Sequence, residues 1–223
     1  MDKSLSLSPS LAPGRGAKFA SELKFVVSPE VAGEIREWAR QNLESDPHGS
    51  GEYGDLYHIS SIYLDTDGFD VLRKRGSYGR SKSRIRQYAS DPAIYLERKM
   101  KVRGLVSKKR VKVTAADLSG LSSSETKNGE PTYWFHRRIL ARSLKPVCQI
   151  AYERTARVAM TEAGLIRLTL DEQVAAAPVD GFQFASTQPE PLPVGGVIVE
   201  LKFRQQIPQL FAACIDQIGR AHV

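Results

Sequence analysis

The sequence has little cysteine and no long apolar run. Its 223 residues include only two cysteines, Cys148 and Cys214, so a disulfide framework is excluded. No apolar stretch reaches the roughly 20 residues that a membrane-spanning helix needs. The first apolar residues are separated by serines and prolines, unlike the core of a signal peptide. These absences favour a protein without a transmembrane segment, and we expect it in the reducing cytoplasm.

The motifs of several common enzyme classes are also missing. The four histidines, His48, His58, His136 and His222, are scattered and lack the spacing of zinc ligands. The glycines of segment 49–54 are not followed by the Gly-Lys-Ser/Thr ending of a phosphate-binding P-loop. No Gly-x-Ser-x-Gly elbow marks a nucleophilic serine. The sequence therefore argues against zinc enzymes, P-loop proteins and serine hydrolases of this type.

What the sequence does have is positive charge. Its 32 lysines and arginines exceed its 25 aspartates and glutamates, which gives a formal net charge of +7. A basic protein attracts anions, but net charge does not separate nucleic acid, membrane lipid and phosphorylated metabolites. The charged segments show no RNP-like motif and no aromatic platform for stacking bases. We therefore expect no nucleic-acid partner.

Segment 94–113 shows how these charges are arranged. Read with the two-residue period of a strand, its polar and apolar side chains fall on opposite faces, and in the first strand Arg98 is the one exception on the apolar face. The pattern resumes after Gly104, which predicts an antiparallel hairpin. The charged face comprises Tyr95, Glu97, Lys99, Lys101, Lys108, Arg110 and Lys112. For a single hairpin, a sheet that turns its charges to water explains the pattern equally well.

The same alternation recurs along the chain. Residues two apart on a strand point the same way, about 6.5 Å apart, so each pair offers two polar groups to one face. The recurring sets are Glu22 with Lys24, Arg84 with Arg86, Tyr152 with Arg154, Arg167 with Thr169 and Asp171, and Glu200 with Lys202. If these strands closed into a barrel, an apolar interior would not tolerate so much unpaired charge. The interior would need water, counter-charges or a bound polyanion.

The order of predicted elements indicates the fold class. Ser28 and Pro29 suit an N-cap and a first helical position before a helix in 31–39, and helices are also predicted at 133–144 and 208–219. The predicted strands are 18–27, 57–65, 83–88, 93–101, 107–113, 146–158, 165–171 and 197–204. They favour an α+β fold, an eight-stranded antiparallel β-barrel with flanking helices. We expect a disordered tail at 1–18 and one domain at 19–223.

The segments between these elements carry further expectations. Segments 44–55 and 76–82 are predicted as loops, and 118–130 as a polar linker. Segment 67–75 is predicted as a short helix or turn that carries Phe69 and Leu72 inward. In 133–144 the apolar helical face comprises Phe135, Ile139, Leu140 and Leu144, which leaves His136, Arg137 and Arg138 to solvent.

Seven short segments occur in the order and spacing of the VTC domain. They are Glu22-Leu23-Lys24, Ser61-Ile62-Tyr63-Leu64-Asp65-Thr66, Arg84-Ile85-Arg86, Leu96-Glu97-Arg98-Lys99, Ser107-Lys108-Lys109-Arg110, Tyr152-Glu153-Arg154 and Val199-Glu200-Leu201-Lys202. The VTC domain is the polyphosphate polymerase domain of the vacuolar transporter chaperone complex, in the triphosphate tunnel metalloenzyme superfamily. The sequence resembles it from about Phe19 to its end. Each tripeptide is weak evidence alone, but seven in register are specific.

The resemblance implies a tunnel of eight antiparallel strands that holds a triphosphate or polyphosphate chain. It implies catalytic roles for Arg84, Arg86, Lys99, Arg154 and Lys202, phosphate binding by Lys24, Lys108, Arg110 and Tyr152, and metal binding by Glu200, with Glu22 and Glu97 as further acidic candidates and Asp171 as a weaker one. The implied cofactor is Mg²⁺ or Mn²⁺, because hard divalent cations bind carboxylates together with substrate phosphates.

Three functions remain open. A polymerase would pass the terminal phosphate of ATP to polyphosphate, and a hydrolase of the same superfamily would pass it to water. A non-catalytic module would bind polyphosphate, inositol phosphates or RNA. Both reactions need phosphates held in line with their charge neutralised, so these residues do not separate them. The family's Ser-Lys-Phe or Ser-Lys-Tyr segment does not follow the last helix. We therefore expect a C-terminus shortened relative to the family, in a stand-alone protein.

Overall fold

The structure is a computed structural model that describes residues 21–49, 51–89, 91–102, 105–204 and 206–220. Its strands are β1 (Ser21–Val27), β2 (Glu44–Ser45), β3 (Leu56–Asp65), β4 (Ser81–Tyr88), β5 (Asp91–Val102), β6 (Leu105–Val113), β7 (Lys145–Thr161), β8 (Gly164–Ala177), β9 (Glu190–Pro191) and β10 (Val197–Phe203). Its helices are α1 (Pro29–Asn42), α2 (Ala115–Ser119), α3 (Tyr133–Ala141) and α4 (Gln209–Arg220). The predicted tail at 1–18 and the turn at Gly104 lie outside the described residues.

Eight of these strands form one antiparallel sheet in the order β1-β10-β8-β7-β3-β4-β5-β6, and the short β2 and β9 pair with β7 and β8. The sheet curls until its two ends approach: Nζ of Lys99 on β5 lies 3.6 Å from Oε2 of Glu22 on β1. Such curling follows from the twist of long antiparallel strands. The predicted α+β fold with a barrel-like sheet is confirmed. Across the described residues, however, no ladder joins β1 to β6, so a seam stays open there.

The apolar side of the sheet faces outward and is covered by helices. One core lies between α1, α4 and the strands β1, β8 and β10, with Leu168, Val199 and Phe211 at its centre. A second core lies between α3 and the strands β3 to β5 and includes Ile62 and Leu96. Burial of apolar area is the main stabilising contribution to folding. Because both of these cores are outside the curl, the concave side carries mostly polar side chains, together with a small buried cluster of Tyr57, Ile59 and Ala156.

Helix α1 begins where the sequence predicts. Ser28 is its N-cap and accepts a hydrogen bond from the backbone N–H of Val31 at 3.4 Å, and Pro29 is the first helical residue. Ile35 and Ala39 are fully buried on the same side of the helix. The predicted cap and apolar face are therefore confirmed, and this face anchors the first core.

Segment 67–75 takes one of its two predicted forms but buries a different side chain. It is a turn built around Asp65, whose carboxylate accepts hydrogen bonds from the backbone N–H groups of Thr66, Val71 and Leu72 at 2.7–2.9 Å. The turn buries Val71 and leaves Phe69 and Leu72 42% and 72% exposed. The expectation that Phe69 and Leu72 point inward was wrong, because Asp65 rather than helical periodicity sets the path of this turn.

Helix α3 and the segment before it also correct the sequence reading. His136, expected in solvent, is buried, and its Nε2 lies 2.8 Å from the backbone oxygen of Ser123. Leu140, expected on the apolar face, is exposed. Segment 118–130 is not simply a polar linker, since Leu118 and Leu121 lie in the second core. The connection packs against α3 and turns the buried face of the helix toward His136.

Segment 44–55, predicted as a loop, is held in place by strand pairing at its start and by ion pairs at its end. Its first residues form β2, which pairs with β7. At its end, the buried carboxylate of Asp55 contacts the guanidinium of Arg157 on β7 at 2.9 Å and that of Arg40 on α1 at 3.3 Å. Asp55 therefore links α1, β7 and the segment between them. Among the described residues, no helix combines the length and the hydropathy required to cross a bilayer.

Leu121, which lies in the second core, and Leu72, which is exposed, give a matched test of the fold. We expect Leu121→Ala to lower the free energy of unfolding by about 2–5 kcal/mol, because it leaves a cavity in the second core. Leu72→Ala should change it by less than about 0.5 kcal/mol, because that side chain is exposed. Urea unfolding of both variants measures the difference. Equal losses would contradict the described packing.

Candidate functional site

The concave side of the sheet carries the charged residues, and we call it the basic face. Paired residues of antiparallel strands lie on the same side, and the register places Glu22 opposite Lys202, and Lys99 opposite Lys108. The cations of this face include Lys24, Lys82, Arg84, Arg86, Lys99, Lys101, Lys108, Arg110, Lys112, Arg154, Arg167 and Lys202, and its acidic residues include Glu22, Glu97, Asp171 and Glu200. All the candidates inferred from the sequence thus lie on one surface, on which cations outnumber acids.

Glu97 is the acidic centre of one half of the basic face. Its Oε2 lies 2.6 Å from Nη2 of Arg84, and its Oε1 lies 2.7 Å from Nζ of Lys108 and 3.3 Å from Nε of Arg110. Its side chain is only 2% exposed. Burial alone would raise the pKa of Glu97, but the surrounding cations, Arg84 first, lower it to about 2. Glu97 is therefore ionised and, from β5, holds cations of β4 and β6 together.

One glutamate does not neutralise this group of cations. Burial lowers the pKa of Lys108, and although Glu97 opposes that effect, the positive charges of Arg84 and Arg110 add to it. Arg110 also stacks on the ring of Tyr95, 3.6 Å from its centroid. The lowered pKa of Lys108 therefore reflects burial together with the like charges of two arginines, which its 2.7 Å ion pair with Glu97 does not fully offset.

Arg86 lies at the middle of the basic face and has no acidic partner among the described ion pairs. It is 4% exposed. Its Nε donates to the hydroxyl of Ser61 and its Nη2 to that of Tyr152, both at 3.0 Å, and it also bonds the hydroxyl of Tyr88. These neutral groups orient the guanidinium, while Glu97, whose pKa Arg86 helps to lower, acts on it without a direct ion pair. A buried cation in this state favours an anion beside it.

Glu200 is the acidic centre of the other half. Its Oε1 lies 3.1 Å from Nζ of Lys24, and its Oε2 lies 2.8 Å from Nζ of Lys202. Nζ of Lys24 also lies 3.2 Å from Glu22, which contacts Lys99 across the seam. Burial opposes ionisation of Glu200, but its hydrogen bond with Glu22 and the two lysines lower its pKa below the ordinary range. Glu22 and Glu200 are thus two neighbouring carboxyl groups within a ring of lysines.

Arg154 and Tyr152 connect the two halves. Nε and Nη2 of Arg154 bind the two carboxylate oxygens of Asp171 at 2.6 and 2.7 Å, a bidentate pair that fixes the guanidinium plane. The guanidinium carbon lies 5.2 Å from the ring centroid of Tyr152, whose hydroxyl accepts from Arg86. Asp171, the weaker candidate from the sequence, is therefore a partner of Arg154.

A comparison with known families decides which family this is. The sequence model of the VTC domain matches residues 19–223, which is nearly the whole chain. The chain belongs to the VTC domain family. A search of curated proteins finds no match.

The fold of this VTC domain is similar to several solved structures. A Bacillus halodurans protein, proposed to be an adenylate cyclase, is 16% identical with a TM-score of 0.50, and the match covers 89% of this chain and 87% of that chain. A protein from Pyrococcus horikoshii is 14% identical, with 90% and 87% covered and a TM-score of 0.45. A proposed adenylyl cyclase from Hippeastrum, described as having a dominant triphosphatase activity, is 12% identical, with 91% and 87% covered and a TM-score of 0.46. The similarity to the Bacillus protein supports the fold.

The structure adds residues to this site that the sequence reading left out. Lys82 is paired with Lys99 and lies on the same face. Arg167 contacts Asp46 at 3.1 Å and is paired with Lys202. Thr169, paired with Glu200, has a buried hydroxyl without a hydrogen-bond partner among the described residues. The alternation in the sequence already marked Arg167 and Thr169 as polar, but only the register shows what they face.

The VTC domain's acidic residues fit a small hard cation better than a soft one. Within the described residues, no group of three or more His, Cys, Asp or Glu side chains is arranged to hold a metal ion. Mg²⁺ and Mn²⁺ bind through one or two carboxylates, with substrate phosphates and water completing the shell. Glu22 and Glu200, which share Lys24, offer that number of carboxylates. Glu97 contacts a separate set of three cations.

The charge of Glu97 predicts how acid affects the domain. Its folded pKa of about 2 is below the ordinary 4.5, so ionised Glu97 stabilises the fold above about pH 4.5, and this contribution is lost as the pH falls toward about 2. Each unit of difference between the folded and unfolded pKa is worth about 1.4 kcal/mol. Ionised Glu97 therefore contributes on the order of 3 kcal/mol to the free energy of unfolding. We expect Glu97→Gln to lower the free energy of unfolding at neutral pH and to flatten its fall in acid.

Urea unfolding from about pH 7 to about pH 3 measures this effect. Glu125→Gln removes a carboxylate from an exposed position outside the basic face and should follow the wild-type curve. If Glu97→Gln and wild type lost stability in parallel as the pH falls, Glu97 would not be the anion that the cluster depends on.

Proposed function

We propose that this VTC domain is a polyphosphate polymerase that transfers the γ-phosphate of ATP to a polyphosphate chain held on the basic face. The observation that carries the proposal is the excess of cations over acids on a concave surface, where buried Arg86 donates to hydroxyls and belongs to none of the described ion pairs. The lowered pKa values of Lys108 and Lys202 support it. Burial is the first cause for each. Arg84 and Arg110 add to it at Lys108, and Arg154 adds to it at Lys202, despite the ion pairs with Glu97 and Glu200. A polyanion would relieve this crowding.

The arrangement suits a long anion more than a single phosphate. Cations come from strands on both sides of the curl, from Lys24 on β1 through Arg154 on β7 to Lys108 on β6. Arginine forks bind phosphate oxygens in a fixed plane, whereas lysines act as mobile point charges. The mixture of the two would hold a chain in line while still allowing it to advance.

Each group has a role in the proposed transfer. Lys24, Lys108, Arg110 and the hydroxyl of Tyr152 hold the phosphates of the chain, while Arg84, Arg86, Lys99, Arg154 and Lys202 surround the transferred group. A terminal oxygen of the chain attacks the γ-phosphorus, the bond from that phosphorus to the bridging oxygen breaks, and ADP leaves with the bonding electrons. Catalysis here consists of alignment and neutralisation of charge on the transferred oxygens.

Glu200 and Glu22 are the proposed ligands of Mg²⁺ or Mn²⁺. When bound, the ion would neutralise phosphate oxygens and polarise the phosphorus, as divalent ions do in phosphoryl transfer. We assign Glu97 a different role within the same site. Its contacts with Arg84, Lys108 and Arg110 make it the residue that spaces the phosphate-binding cations.

Purified protein with ATP and Mn²⁺ is expected to form acid-labile polymer. Arg86→Ala, Lys99→Ala and Glu200→Gln should each lower the rate by at least about a hundredfold, the usual range for removing a group that stabilises transition-state charge. Gel sizing of the product, with quantified ADP release, measures the reaction. Circular dichroism and urea unfolding establish that each variant is folded.

Lys127→Ala is the matched control, since it removes an exposed lysine from the segment between α2 and α3. It should retain the wild-type rate. Release of orthophosphate together with ADP, with no polymer, would identify a hydrolase of the same fold instead. Tight polyphosphate binding without ADP or orthophosphate would identify a binding module.

A further inference from the structure

A second group of cations lies on the outer side of the sheet. Arg98 interrupts the apolar pattern of β5, and its cross-strand partner is Lys109 on β6. Helix α3 carries Arg138, and Arg142 follows at the C-cap four residues later, on the same side. Arg98 and Arg142 are near enough to Arg138 to repel its charge. We call Arg98, Arg138 and Arg142 the outer arginine cluster.

The outer arginine cluster has positive charge without an acidic partner. In the part of the chain that the structure describes, none of the ion pairs includes its three arginines. Burial first, and then the like charges of Arg142 and Arg98, lower the pKa of Arg138. Three half-buried guanidinium groups at close range repel one another unless an anion lies between them.

The cluster also contains hydrogen-bond donors that are not used. Nε of Arg138, Nε of Arg142 and Nε1 of Trp134 are buried without an acceptor among the described residues. Trp134, Arg138 and Arg142 are spaced four residues apart and so follow one side of α3. Buried N–H groups are nearly always paired in folded proteins. A ligand with several negatively charged oxygens would satisfy these donors and the charge together.

The aromatic rings at this surface favour a phosphate chain over nucleic acid. Nζ of Lys109 lies 4.6 Å from the ring centroid of Trp134, and the guanidinium carbon of Arg142 lies 3.6 Å from that of Tyr78. These ring faces are already covered by cations, so they are not free to stack bases as single-stranded nucleic acid binding requires. The available groups are N–H donors and charge, which match phosphate oxygens.

The cluster is continuous with the basic face across one strand. On β6, Lys108 and Arg110 belong to the basic face, and Lys109 between them points to the outer side. Strand β6 is the last in the order of the sheet. A chain that leaves the basic face over this edge would therefore meet Lys109 and then the outer arginine cluster.

We propose that the outer arginine cluster is an exosite for inorganic polyphosphate, on which a long chain continues after it passes around β6. The choice of polyphosphate rests on the function proposed above. The cluster binds the part of the chain that is not reacting, so short chains that fit on the basic face do not reach it. Long chains gain affinity from both surfaces, as in other two-site binding.

The test compares binding of tripolyphosphate and of long-chain polyphosphate by calorimetry. Arg138→Gln should weaken long-chain binding by about tenfold, the size of one charge-assisted hydrogen bond, and leave tripolyphosphate binding unchanged. Arg137→Gln is the matched control, because it removes the same charge from the adjacent exposed position on α3. Arg142 is less suitable, since it also donates to Ser77 at 2.7 Å and caps α3.

Arg86→Ala separates this inference from the proposed function. If it abolishes tripolyphosphate binding while long-chain binding still depends on Arg138, both proposals hold. If Arg86→Ala leaves tripolyphosphate binding intact while Arg138→Gln still weakens long-chain binding, the basic face is wrongly assigned and the exosite stands. Equal effects of Arg137→Gln and Arg138→Gln, or equal affinity of wild type for short and long chains, would overturn the exosite. Displacement of polyphosphate by single-stranded RNA at similar concentrations would replace it with a nucleic-acid site.

Discussion

Repulsion between cations on the concave side of the sheet is the constraint on which the rest of this structure depends. The lysines and arginines of the basic face are held close together by a few acids, chiefly Glu97 and Glu200, each of which contacts cations on more than one strand. Such a surface is tolerable only if each acid is ionised and the fold around it is rigid. The lowered pKa values of these two glutamates indicate that the cations keep both of them ionised.

The hydrophobic cores on the outer side of the sheet make the fold around these acids rigid. A sheet whose inner face is largely charged buries most of its apolar residues on its outer face, and the helices supply the opposing surface. Two large cores result, one beneath α1 and α4 and one beneath α3, while the small cluster of Tyr57, Ile59 and Ala156 lies on the inner face. Between them, ion pairs such as Asp55 with Arg157 replace apolar packing and link the connections to the sheet. The scaffold can therefore hold charge at its centre because its stability lies elsewhere.

A cation that interrupts the apolar pattern on the outer side of the sheet is also informative. Arg98 is a cation on the apolar side of β5, and its neighbours on α3 include two further arginines rather than acids. Charge of one sign at a position where burial is available indicates a ligand more than it indicates stability. The two basic surfaces share the β5–β6 hairpin, so one strand edge would guide a single polyanion past both.

The sequence by itself determined the strands, the cap and apolar face of α1, and which residues share the charged side, because strand and helix periods are local properties of the chain. It misplaced Leu72 and His136, because the Asp65 turn and the contact with Ser123 are set by groups that periodicity does not report. Only the tertiary structure decided that Glu22 meets Lys99 across the seam, that Asp171 fixes Arg154, and that Arg86 donates to the hydroxyls of Ser61 and Tyr152. Those contacts depend on strand order and curvature, which join residues far apart in sequence, and a two-residue alternation contains no information about either.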